Sequence, residues 1–178
     1  GLGFDRMDMN GVLGGAPGYN DRVPQFRRFK SCSVIFDDRY APVLISIWEG
    51  RADLEAAQWH DRVNEEATRR VIAGGSKVAS ISDASHSERP PPEVRKHWAD
   101  SMSTVSPQVR ENTLATYVVM TSATMRGVMT AIGWLSEEAR RIATVGTLPE
   151  AIDAVLAKLD EAGIARPAGL TAQGYRPP

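Results

Sequence analysis

Val43–Trp48 reads VLISIW and Lys77–Ser82 reads KVASIS, and these two short runs decide how the chain is assembled. Both are short and alternate between apolar and small polar residues, as strands do. A sheet buried on both faces reads instead as continuous apolar runs. Ser46, Ser80 and Ser82 interrupt these two strands, which implies that one sheet face is wet or only lightly covered. Between the two runs, Ala56, Trp59, Val63, Ala67 and Val71 recur every three or four residues within Ala52–Ile72. That spacing is an amphipathic helix, and Gly74-Gly75 supplies its stop. A strand, a helix and a further strand form a parallel pair with a right-handed crossover.

Upstream, Ser31–Phe36 (SCSVIF) is another strand, separated from Val43 by the turn-rich Asp37–Pro42. The pair reads as an antiparallel hairpin. Downstream, Val94, Trp98, Met102 and Val105 mark a second helix ending near Pro107, and Leu114–Thr121 (LATYVVMT) is the most apolar strand. Ser122 is placed to cap a third helix carrying Met125, Val128, Met129, Ile132 and Leu135. Arg141–Val145 is a short fifth strand. Thr147 and Glu150 form a capping box before a fourth helix with Ile152, Val155, Leu156 and Leu159, stopped at Gly163. The expected fold is α/β: a mixed five-stranded sheet with about four helices mainly on one face. Residues 1–30, punctuated by Gly and Pro, read as a flexible or partner-ordered arm, residues 31–164 as the domain, and 165–178 as a loose C-terminal tail.

At 178 residues the chain is long enough to bury a core without staples. Its 1 cysteine forbids an internal disulfide, so a cytoplasmic location is expected. Lys+Arg 21 against Asp+Glu 22 leaves no basic footprint, and no nucleic-acid partner is expected. The pairs Arg27-Arg28, Arg69-Arg70 and Arg140-Arg141 are dispersed among acids and read as solvated faces. No apolar run approaches the roughly 20 residues of a membrane span. Gly1–Asn10 lacks the basic start and apolar stretch of a signal peptide, and Met7 or Met9 is an alternative start.

Three segments carry a family resemblance: VASISDAS at Val78–Ser85, TYVVMTSATMRGVMTAIGWL at Thr116–Leu135, and ATVGTLPEAIDAVLAKL at Ala143–Leu159. In order and character they resemble the STAS-like fold of anti-sigma-factor antagonists and sulfate-transporter tails, with the likeness covering about three quarters of the chain. The resemblance implies a regulatory module that works by protein–protein recognition. It also implies a phospho-acceptor serine in the turn after the third strand, where Asp83-Ala84-Ser85-His86 stands here. Phosphate on Ser85, beside Asp83 and Glu88, would repel an acidic partner. Two departures stand against that role: His86 replaces the family's glycine, and Ser87–Pro92 separates Ser85 from the next helix.

Other candidate chemistry is sparse. His60, His86 and His97 lack metal-ligand spacing, so no metal or other cofactor is expected. His60 reads as a satisfied, partly buried imidazole, and of His97 and Trp98 only one is expected to point fully inward. Cys32 reads as a small buried hydrophobe. Neither Ser85 nor Ser122 sits in a nucleophile elbow. Amides near Ser122, helped by Arg126, could receive an anion, though a plain N-cap explains Ser122 as well. The third helix is rich in Met and apolar groups, and Trp134, off its main stripe, is the candidate exposed interaction residue.

Three functions follow. The first is a non-enzymatic cytoplasmic interaction module using Asp83, Ser85, His86, Ser122, Arg126 and Trp134. The second is a binder of a small apolar or lipid ligand, and the third an enzyme using His86 or His97 with Asp83. The arm's length and turn-rich chemistry also suit homo-oligomer formation or ordering on a protein partner.

Overall fold

The computed structural model describes residues 22–123, 126–127, 129–130 and 141–178. Six strands form one sheet in chain order: β1 Gln25–Arg28, β2 Cys32–Asp37, β3 Val43–Gly50, β4 Val78–Ser87, β5 Thr113–Val119 and β6 Ile142–Val145. β1, β2 and β3 are antiparallel neighbours, and β3 to β6 run parallel. Four described helices connect or follow them: α1 Leu54–Ala73, α2 Pro92–Ser103, α3 Pro107–Glu111 and α4 Leu148–Glu161. The mixed α/β sheet with its hairpin start is the expected architecture.

Each helix end has a local cause. Asp53 caps α1 by accepting the Ala56 N–H at 2.9 Å. Thr147 does the same for α4 toward Glu150, whose carboxylate accepts the Gly146 N–H at 3.0 Å. Gly75 and Gly163 take positive φ where α1 and α4 stop. At the end of β3, Gly50 also has positive φ, and a Cβ there would lie 2.5 Å from the Ser31 carbonyl oxygen. Only glycine lets the hairpin close against Ser31.

Alternation along the strands sends two apolar sets to opposite faces. On one face Cys32, Val34, Phe36, Leu44, Trp48 and Val78 pack with Ala56, Trp59, Ala67 and Val71 of α1 and Val94 of α2. On the other, Val43, Ile45, Ile47, Ala79, Ile81 and Val119 pack beneath Ile152, Val155, Leu156 and Leu159 of α4. The first three described helices thus share one face, and α4 covers the other.

Four expectations change. The sixth strand is β1, taken from the stretch assigned to the arm. Its residues are all exposed, so backbone pairing to β2 recruits it with no apolar alternation to signal it. β4 runs on through Ser87, because Glu49 and Gly50 of β3 pair with His86 and Ser87. Asp83, Ser85 and His86 therefore lie on an extended strand end, where a turn was expected. The helix expected from Val94 to Val105 stops at Ser103, and Pro107 opens the separate one-turn α3. The C-terminal stretch is packed: Leu170, Ala172 and Tyr175 are buried among α4 and sheet residues. The Tyr175 hydroxyl donates to Asp37 at 3.1 Å, and Asp37 also accepts two guanidinium hydrogen bonds from Arg39. Three buried side chains separated by turn residues carry no period, which hides the tail's packing from a pattern reading.

Candidate functional site: a cavity over the serine face

Of the serines that interrupt the strands, Ser46 is buried, and Ser80 and Ser82 are half-buried. Ser46 is buried beneath α1, and its hydroxyl lies 2.7 Å from His60 Nε2. Ser80 and Ser82 line a cavity of about 710 Å³ between the sheet and the helices α1, α2 and α3. Val78, Ser80, Ser82 and Ala84 line it along β4, a span of about 20 Å at the rise of a strand. Thr116, Val118 and Met120 continue the floor on and after β5. Trp48, Trp98, Met102, Val105 and Met129 supply much of the apolar wall. Trp48 and Trp98 meet edge-on at 5.9 Å, and the His60 ring lies 5.0 Å from Trp48.

The polar wall centres on Asp61. Its Oδ2 accepts from His97 Nε2 at 2.8 Å and from the Ser101 hydroxyl at 2.9 Å. Its Oδ1 meets His60 Nδ1 at 3.7 Å, beyond hydrogen-bond distance. Burial pushes the Asp61 carboxyl upward, but interactions with His60, Ser101 and His97 outweigh it and hold the group below its ordinary value. Asp61 is therefore a carboxylate at neutral pH. One turn and two turns further along α1, Asn64 and Thr68 also line the cavity. Among the described residues the side chains of Asn64, Thr68, Ser80, Ser82 and Thr116 make no hydrogen bond.

Ser46, His60 and Asp61 suggest a nucleophilic triad by type, but not by geometry. The 3.7 Å separation is too long for Asp61 to orient the ring, and Ser46 is only 4% exposed. Both His97 and Trp98 are used inward: His97 bonds α1, and Trp98 packs on Trp48. Both are half-buried, so neither points fully inward, and α2 meets α1 through His97 and the sheet through Trp98.

The predicted site residues fall elsewhere. Asp83 is buried and accepts the Ser85 N–H at 2.9 Å. The Ser85 hydroxyl is 3.1 Å from His86 Nδ1. Asp83 makes no hydrogen bond to either histidine proposed as its catalytic partner, and His97 is paired with Asp61. The Arg126 guanidinium donates to the carbonyls of Met120 and Thr121, at 3.3 and 3.2 Å, beside Ser122. It closes the strand end there and is turned to carbonyls in place of an anion. Trp134 lies outside the described residues. Cys32 is buried, and burial raises its thiol. Among the described residues, no group of three or more His, Cys, Asp or Glu is placed to hold a metal ion, and no helix is long and apolar enough to cross a membrane.

The chain is similar to a crystal structure of an anti-sigma factor antagonist from Mycobacterium paratuberculosis. Identity is 21% and the TM-score 0.47, over 71% of this chain and 95% of that one. No protein-family model matches the sequence, and no curated protein matches it.

Proposed function

We propose that the chain is a non-enzymatic binding module whose cavity receives a small, mainly apolar molecule. The observation that carries this reading is the cavity itself. Its volume of about 710 Å³ lies within the range of small-molecule sites, roughly 300–1,000 Å³, and its apolar wall is interrupted by a few converging polar groups. Packing alone would favour filling such a space, because protein interiors approach crystal density. Native mass spectrometry of the purified protein is the test. A mass above that of the bare chain, lost on mild activation, supports the reading; a bare chain after incubation with apolar probes contradicts it.

A second reading is regulatory contact with a protein partner, favoured by the position of Ser85. Its strand end borders the cavity through Ala84, Ser87 and Glu88, so occupancy and partner contact would share one rim. Phosphate at Ser85 would add about two negative charges to that rim. Replacing Ser85 with Glu and measuring partner capture with the cavity empty and filled tests the link. Self-association through residues 1–30 belongs to the same reading, and light scattering of full-length and truncated chains decides it.

A further inference from the structure

The cavity's polar groups narrow the chemistry of its occupant. Asp61 is the ionised group on the α1 wall, and only one of its oxygens accepts a hydrogen bond, the other having the long 3.7 Å contact to His60 Nδ1. Oδ2 takes both hydrogen bonds, from His97 and Ser101, while Oδ1 has no hydrogen-bond donor among the described residues. A carboxylate oxygen is an acceptor only, so what completes it is a donor. Asn64 and Thr68 on the same helix face, and Ser80 and Ser82 across from them, leave further polar atoms unengaged. The basic side chains of the lining, Arg110 and Arg141, are each already partnered. An anionic head seated at Asp61 would meet that charge at close range, in a setting where water screens poorly.

We infer that the ligand carries a hydrogen-bond-donating head, a hydroxyl or an amine, that seats on Asp61 Oδ1 with its apolar body along β4 toward Trp48 and Trp98. The inference rests on the proposed binding function and specifies its ligand. A hydroxyl would give one charge-assisted hydrogen bond to Oδ1, and an ammonium would add the attraction of opposite charges. The floor hydroxyls would serve a second polar group of the same ligand, because they can accept as well as donate.

Decanol, decylamine and decanoate share one apolar chain and differ only in the head. Titration of each into the full chain by isothermal calorimetry, below micelle formation, separates head from body. The expected result is binding of decanol and decylamine, with decanoate weaker by roughly tenfold or more. Asp61→Asn should bring decylamine and decanoate within about threefold of each other while leaving decanol bound, since a neutral amide oxygen still accepts. Decanoate bound as tightly as decanol by the unaltered chain would overturn the donor-head inference and leave the apolar cavity standing. That comparison needs no variant, so it holds even if the substitution impairs folding. Failure of all three probes to bind would contradict the binding function itself, and the inference with it.

Discussion

Replacing Ser82 with Leu puts a larger side chain where the structure leaves space. Ser82 is on the cavity floor, between the buried Ile81 and Asp83 of β4. Leucine adds three carbons, each worth about 0.8 kcal/mol if fully buried, so the upper limit is roughly 2.4 kcal/mol of stabilisation. Ser82 is only half-buried, which reduces the expected gain to about 1 kcal/mol. In a filled core the same substitution would overpack and cost about 1–3 kcal/mol. The two cases differ in sign. In a chain of this length, 1 kcal/mol moves the melting temperature by about 2–4 °C, which circular dichroism resolves easily. The variant should melt at or slightly above the temperature of the parent chain and bind decanol at least tenfold more weakly. A loss of 2 °C or more with decanol binding unchanged would show that no such cavity exists at Ser82.

Tyr175→Phe removes one hydrogen bond to buried Asp37 but leaves those from the Arg39 guanidinium and backbone N–H, so the cost should be about 1–2 kcal/mol by urea unfolding. Burial, with the Asp37 charge and hydrogen bond, raises the Tyr175 phenol above its ordinary 10.0. Its contribution to stability is thus whole below pH 10 and lost as pH rises toward the folded-state value, and Tyr175→Phe should flatten that alkaline loss. The Asp61 carboxyl is held below its ordinary 3.8. Its contribution is whole above that value and is lost as pH falls through the lower folded-state value, so Asp61→Asn should soften the acid limb of a stability–pH profile. Gly50→Ala meets both a positive φ and the Ser31 carbonyl, and should cost well over 1 kcal/mol by the same unfolding assay. The buried Cys32 thiol should react with a thiol reagent only at the rate of unfolding, and rapid labelling of the folded chain would contradict its placement.

The hairpin, the parallel crossovers and both long helices were readable because each carries its own period: alternation in VLISIW, three-to-four spacing from Ala56 to Val71, a capping pair at Thr147 and Glu150. β1 was not, because an exposed edge strand is held by backbone hydrogen bonds that carry no side-chain pattern. The continuation of β4 through His86 escaped for the same reason. The serine interruptions read as a wet or only lightly covered face, and the half-buried Ser80 and Ser82 fit the light covering. That they mark a cavity beneath helices rests on which helix lies above them, a tertiary fact. Asp61, Asn64 and Thr68 could have been found from their shared spacing on one side of α1, polar residues flanking the apolar stripe of Trp59 and Val63. The partners of Asp61, His97 and Ser101, could not, since 36 and 40 residues separate them from it.

The most direct measurement is backbone amide chemical-shift mapping by NMR as decanol is added to the isotope-labelled chain. Saturable shifts gathered at Asp61, Ser80, Ser82, Trp98 and Thr116, with β1 and α4 unmoved, are what the account predicts. Shifts scattered over the exposed surface, or none at saturating probe, would mean that the space over the serines does not receive a ligand.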